Sequence, residues 1–352
     1  MIAVLYLLIF AVLLCFFFVG WMKTKRKYVY SKREKYDTNT ISIIIPFRNE
    51  ATNIPYLVEA ISTLTKQPLE FIWVNDHSED GSELLIQHLP ENHQLISLDK
   101  NITGKKSAIR AGIKRATGSY ILTWDADCIV PSTYFETLEQ TPVSTLTILP
   151  VAMHAQTVWE IFYELDYYFL SSINVGLSGF TQPLVASGAN LLFEKASFLE
   201  VDSIAQHQHI ASGDDQFLLV DFKKAKKSIQ VIPAFELCVI TKTPHTLTAF
   251  FQQRLRWIGK SSYIKDNPTR IISSVGLTYV VLFVCLLFTT HWMIILCSKI
   301  IIDVLIFLPY LHALKRKKTV WFLPIFTLIY PVYCCVIGLL MLVVKPKWKG
   351  RL

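Results

Sequence analysis

Apolar residues run without a break from Ile2 to Trp21. About 20 such residues suffice to cross a bilayer core. No basic residue precedes this run, and Lys23, Lys25, Arg26, Lys27, Lys32, Arg33 and Lys35 follow it. A cleaved leader has the opposite polarity, so the pattern predicts a retained anchor over 1–22. A basic juxtamembrane linker follows over 23–40, and its side of the membrane is cytoplasmic by the positive-inside rule. Two further apolar runs, 272–290 and 293–311, flank Thr289-Thr290-His291-Trp292 as a hairpin. The basic stretch Lys315-Arg316-Lys317-Lys318 precedes a third run, 320–344, and a basic tail, 345–352. Counting spans leaves the tail outside, whereas its charge argues for inside. Pro324 and Pro331 permit the last run to re-enter rather than cross.

Between these runs, over 41–271, the pattern alternates. Ile41–Ile45 reads as a strand ending at Pro46, and Asn53–Leu64 as a helix capped by Asn53 with Pro55 in its first turn. Phe71–Val74 is a second strand, Asp80–Leu89 a helix closed by Pro90, Leu95–Leu98 a third strand and Gly104–Ala116 a helix. The run from Gly118 to Trp124 is a fourth strand. Alternation at this spacing predicts an α/β domain with a doubly wound, mostly parallel sheet. Such sheets bind ligands beyond the carboxyl ends of their strands.

Composition sharpens two points. The 352 residues are 52% hydrophobic, with a formal net charge of +8. Much of that charge sits beside the apolar runs, which suits anionic lipid headgroups rather than nucleic acid. None of the seven cysteines has zinc-ligand spacing, so neither zinc nor disulfides are expected.

The fourth strand ends in Asp125-Ala126-Asp127. In extended backbone these carboxylates face the same side, and their repulsion is relieved by a divalent cation that also takes phosphate oxygens. Taken alone, the pair reads equally as a solvated acidic turn. Its neighbours make it specific. Pro46-Phe47-Arg48-Asn49-Glu50, Asn75-Asp76-His77-Ser78, Gly104-Lys105-Lys106-Ser107, Gly188-Ala189-Asn190, Ser212-Gly213-Asp214-Asp215 and Gln253-Arg254-Leu255-Arg256-Trp257 accompany it in fixed order. The set resembles membrane-embedded family-2 glycosyltransferases of the GT-A, Rossmann-like fold, over about 41–260.

The resemblance implies roles. Residues 41–130 form the nucleotide-sugar half, with Pro46, Arg48, Glu50, Asn75, Asp76, Lys105 and Asp125 around a UDP-sugar. Asn75 and Asp76 are suited to the base and Glu50 to the ribose; many members carry Asp where Asn75 stands. Lys105 is suited to phosphate or base. Asp127 ligates Mg²⁺ or Mn²⁺, with Asp125 beside it. Residues 131–271 form the acceptor half: Asn190 lies in its G-x-N segment and Asp215 is the general base. Asp214 replaces the usual Glu as an orienting neighbour, and Gly213-Asp214-Asp215 also reads as a helix N-cap. Gln253, Arg256 and Trp257 form the Q-x-x-R-W motif, with Arg256 on phosphate and Trp257 beneath the sugar.

The resemblance thus implies an inverting, metal-dependent enzyme of a bacterial cytoplasmic membrane. Its catalytic domain is cytoplasmic, and its partners are a nucleotide-sugar, a lipid-linked or glycan acceptor and membrane lipids. A processive polysaccharide synthase is the alternative, and a non-catalytic nucleotide-sugar-binding subunit a further one. Three features stand outside the motifs. The aromatic stretch 157–175 reads as an interfacial or a packed helix, Gln206-His207-Gln208-His209 as a polar loop, and Lys299 with Asp303 as an ion pair inside an apolar run.

Overall fold

In this computed structural model the described residues are 2–201, 207, 213–259 and 266–343. Ser212, Gln206, Gln208, His209 and the basic tail lie outside them. The chain divides into two compact units, one of residues 25–154 and 185–242, the other of residues 1–24, 155–184 and 243–352. The helices in chain order begin with α1 (Ile2–Val29), α2 (Ile54–Ser62), α3 (Lys105–Arg115), α4 (Tyr134–Leu138), α5 (Val158–Ser178) and α6 (Lys195–Val201). They continue with α7 (Asp214–Lys224), α8 (Leu247–Gly259), α9 (Asn267–Leu287), α10 (Trp292–Ala313) and α11 (Leu323–Val343).

The first unit holds a mixed, mostly parallel sheet. Its strands are β1 (Ile41–Phe47), β2 (Glu70–Asn75), β3 (His93–Ser97), β4 (Tyr120–Trp124), β5 (Leu146–Ile148), β7 (Asn190–Glu194) and β8 (Ile229–Val231), in the spatial order β3-β2-β1-β4-β7-β5-β8. The four strands β3, β2, β1 and β4 are mutually parallel, and β7 runs antiparallel to both β4 and β5. A separate parallel pair joins β6 (Val151–Met153) to β9 (Val239–Thr241). Every residue of β1 and β2 is buried, which is why these strands read as continuous apolar runs rather than alternating ones.

Two local expectations fail for chemical reasons. Asp80–Leu89 is not a helix; only Ser82–Leu85 makes a short 3₁₀ turn. The Asp80 carboxylate accepts the Ala51 and Ser82 amides at 2.9 and 3.1 Å, and Gly81 lies at φ +81°. Side chain and glycine together shape a turn where a helix would have to start. Asn53 stands at the first end of α2 without capping it through its side chain. Its amide donates instead to Glu50 Oε2 at 2.5 Å.

The other unit is helical. Among the described residues, four helices are long and apolar enough to cross a membrane: Tyr6–Val29, Thr269–Leu287, Trp292–Ala313 and Lys317–Leu340. The first does not end where its apolar run ends. It continues through Lys23–Lys27 to Val29, since Lys and Arg are good helix formers whose charged heads reach away from apolar surroundings. The aromatic stretch forms α5, buried through Tyr163, Leu165, Tyr168 and Val175, and is therefore a packed helix. Trp159 at its start is exposed.

Several charges among the described residues of this unit are paired. Arg316, read from the sequence as part of a lipid-facing basic stretch, donates from Nε and Nη2 to Glu164 at 2.8 and 2.7 Å and from Nη2 to the Ala155 carbonyl at 3.1 Å. Lys299 pairs with Asp303 on α10, and Thr327 of α11 donates to Asp303 at 2.5 Å.

Helices α1 and α5 cross at glycine. A Cβ on Gly20 would enter the Gly176 carbonyl, and one on Gly176 would enter the Phe17 ring. Gly276 on α9 has nothing within 4 Å of the corresponding position. Gly176→Leu is therefore expected to destabilise the protein by about 1–3 kcal/mol through overpacking, and Gly276→Ala to stabilise it by up to about 1 kcal/mol through helix propensity. Thermal unfolding in detergent reads the difference.

Candidate active site

The turns after β1, β2 and β4 carry the sequence motifs. Pro46 is buried within β1, and Arg48 and Glu50 are half-buried just past its end. Asn75 closes β2 almost fully buried, with its amide engaged by the protein. Its Oδ1 accepts the Ser78 amide at 2.8 Å and its Nδ2 donates to Glu83 at 2.8 Å. The residue expected to meet a base thus shapes the turn that follows β2. Asp76 accepts the Gly104 amide at 3.0 Å. This bond fixes the start of α3, where Gly104 lies at φ +99°, a conformation that excludes most side chains.

Lys105, on the first turn of α3, makes an ion pair with Asp125 beyond β4. Burial alone would lower the ammonium's pKa, but the charges of Asp125, Asp214 and Asp215 outweigh it and hold the pKa well above the ordinary lysine range. Gly188 lies at the same point. Its amide donates to Asp215 Oδ2 at 3.2 Å, and a Cβ on it would sit 3.0 Å from Asp214 Oδ2 and 3.6 Å from Lys105 Nζ. Asp214 and Asp215 open α7 after Gly213, which takes the capping position at φ +95°. A helix N-terminus favours carboxylates there. Asp215 Oδ1 also accepts the Gln216 amide at 2.7 Å.

Asp127 is the electrostatic counterpart of Lys105. Burial first, then the charges of Asp125 and Glu50, push its carboxyl up to about 6, against the donated hydroxyl of Thr241 at 3.1 Å. No three His, Cys, Asp or Glu side chains form a ready-made cage among the described residues. The donor set suits a hard divalent ion that keeps open positions for phosphate oxygens and takes one or two carboxylates from the protein. Asp127, with Asp125 beside it, would hold such an ion.

Asn190 has its side-chain polar atoms engaged within the protein. Its side chain is fully buried and donates to the Pro150 and Leu237 carbonyls, each at 2.8 Å. It accepts the Tyr134 hydroxyl at 2.6 Å. His207, in the polar loop, bonds Asp221 at 3.0 Å and stacks on Phe217.

Gln253, Arg256 and Trp257 lie on α8, in the helical unit. Arg256 and Trp257 are half-buried, and Trp257 meets Tyr167 edge-on at 6.1 Å between centroids. Sequence reasoning passed over Arg254 between them. It is fully buried, paired with Asp166 on α5. It also passed over Thr241 and the Gly188 amide. A charged residue on the apolar face of a helix was the available signal for Arg254; a backbone amide leaves none.

The raised Asp127 pKa has a sign. In the unfolded chain the group titrates near the ordinary 3.8, so between that value and about 6 the folded protein binds the extra proton. Stability from this group is greatest below 3.8 and is lost as pH rises through about 6. At pH 7 without a divalent cation, the ionised carboxylate is a cost. Asp127→Asn is expected to unfold at higher temperature than the unsubstituted protein in chelator, and to lose the stabilisation that Mn²⁺ gives the latter. A thermal shift series over pH and Mn²⁺ measures both.

Residues 42–141 match Glycosyl transferase family 2, and residues 120–343 match Glycosyl transferase family group 2. An undecaprenyl-phosphate 4-deoxy-4-formamido-L-arabinose transferase of Yersinia enterocolitica is 40% identical over 93 residues, covering 25% of this chain and 28% of that protein. A poly-beta-1,6-N-acetyl-D-glucosamine synthase of Staphylococcus aureus is 26% identical over 252 residues, covering 66% of this chain and 58% of the synthase. The matches thus span less than two-thirds of either relative. A mannosyltransferase from Pyrobaculum calidifontis, solved in complex with GDP-Man and Mn²⁺, shares the fold at a TM-score of 0.53 and 13% identity, over 95% of this chain and 99% of that one. With more than half of its length matched by the second family, this chain belongs to the family-2 group of glycosyl transferases.

Proposed function

We propose that this protein transfers a sugar from a nucleotide-sugar, a UDP-sugar, to a hydroxyl of a lipid-linked acceptor, with inversion. One observation carries the reading. The carboxylates beyond β4 and those opening α7 converge on Lys105 and Gly188, so a cation-binding pair and a candidate base face one point. Family membership and the four apolar helices support it. The Yersinia relative's name includes undecaprenyl-phosphate, a lipid, which supports the lipid-linked part of the reading and not the hydroxyl.

In this reading Asp215 takes the proton of the acceptor hydroxyl. The oxygen bonds to the anomeric carbon from the face opposite the donor, and the nucleoside diphosphate leaves. The Gly188 amide orients the Asp215 carboxylate, which stands in the first turn of α7, where a helix N-terminus favours negative charge. Asp127 and Asp125 would hold Mg²⁺ or Mn²⁺, which when bound would neutralise charge on the leaving diphosphate. Lys105 exchanges Asp125 for a donor phosphate, a swap between anionic partners that leaves its ammonium charged. Arg256 and Trp257 enter on the sequence motif alone, as phosphate and sugar contacts.

A second reading, repeated addition to a growing polysaccharide, is favoured by the length of the match to the Staphylococcus aureus synthase. Membranes incubated with radiolabelled UDP-sugars separate the two, since single transfer gives a discrete glycolipid and repeated addition gives a high-mass polymer.

Asp215→Asn is expected to lower transfer by about 10²–10⁴-fold, the usual worth of a general base, with donor affinity within about twofold. Turnover equal to that of the unsubstituted protein removes Asp215 from the base role.

A further inference from the structure

Arg254 occupies one of the two unspecified positions of Q-x-x-R-W, yet it touches two of the motif's named residues. Its Nη1 donates to Gln253 Oε1 at 2.7 Å. Its guanidinium lies over the Trp257 ring, 4.2 Å from the centroid, and over the Phe250 ring at 4.7 Å. These rings stand three residues after and four before it on α8, one helical turn on either side, so the planar cation is held between them. Its Nε pairs with Asp166 of α5, and its Nη2 reaches the Tyr163 carbonyl at 3.5 Å. Tyr333 of α11 donates to the same Asp166 oxygen at 3.4 Å. Arg254 and Asp166 are each 2% exposed at the side chain.

We propose that Arg254 is a positioning residue, which with Asp166 and Tyr333 fixes the side chains of Gln253 and Trp257. The inference rests on the sugar-transfer reading above only for its consequence, since the contacts are independent of it. A Trp indole has a broad torsional well about its ring bond, and a single exposed face leaves it free to turn. A cation over one face narrows that freedom. The guanidinium in turn has its own orientation set by a carboxylate on a second helix and, through that carboxylate, by a hydroxyl on a third. Arg suits this place because its planar fork hydrogen-bonds at its edge and stacks by its face at once. Lysine has no plane to stack. The arrangement thus transmits the packing of α5, α8 and α11 to the ring orientation of a motif residue.

The test is a double-mutant cycle in the full-length protein in detergent or membranes. Arg254→Met alone leaves Asp166 buried without its partner and risks the fold. The comparison variant is therefore Arg254→Met with Asp166→Leu, which removes both charges. Transfer from the radiolabelled donor and Trp257 fluorescence, the latter as the difference from Trp257→Phe, are read for each variant. The paired replacement is expected to keep the unfolding temperature, shift the Trp257 emission and lower turnover by about 10²-fold, the scale of a misplaced contact group. In a Trp257→Phe/Gln253→Ala background the same replacement is expected to cost less than about threefold. Arg254→Lys, charged but unable to stack, is expected to resemble the paired replacement in emission. An equal loss of turnover in both backgrounds, or an unchanged Trp257 emission, overturns the proposal. If the unsubstituted protein transfers no sugar, the transfer reading fails while the emission shift still decides the positioning.

Discussion

A charge removed from water must be matched within the protein, and that requirement organises both units of this molecule. In the sheet unit, carboxylates from the end of β4 and the start of α7 are brought to one place, where Lys105 is the cation they share. Asp127, which Asp125 and Glu50 repel rather than attract, is left with a raised pKa. In the helical unit the same requirement gives Arg254 with Asp166, Arg316 with Glu164 and Lys299 with Asp303. The two outcomes differ in kind. The helical pairs balance their charges locally, and Arg254–Asp166 and Arg316–Glu164 do so between different segments of the chain. The sheet cluster has more acid than base, and an excess of negative charge is a reason for a cation to bind.

The fold shapes this cluster with glycine backbone. Gly104 and Gly213 adopt positive φ where helices start, and Gly188 brings its amide against Asp215 with no Cβ to collide with Asp214. Asn75 and Asp80 spend their polar atoms on turns. Those turns hold the strand ends rigid, which is what a site needs if its groups are to stay placed while a substrate arrives.

Membership of the family-2 group accounts for this economy without choosing the acceptor. One relative has undecaprenyl-phosphate in its name and another is named for synthesis of a glucosamine polymer. Within the helical unit, the crossing of α1 and α5 depends on Gly20 and Gly176.

The first four strands, the mostly parallel sheet and the apolar helices were legible in the sequence, because each leaves a periodic or compositional trace, whereas β5 to β9 were not read from it. The pair Asp125 and Asp127 was marked by its place after a strand, and Lys105 and Asp215 by the resemblance of their motifs to the family. Asp80–Leu89 was misassigned, since its turn is held by hydrogen bonds that no local pattern records. The partners of Arg316 and Asn75 were equally illegible, as were those of Asn190, whose polar atoms bond Pro150, Leu237 and Tyr134, each at least 40 residues away along the chain. Only the tertiary structure decided that Lys105 meets Asp125 and that Arg254 meets Asp166. Those partners are 20 and 88 residues apart. A polar side chain in sequence declares what it can bond, and folding alone selects which of its possible partners arrives within reach.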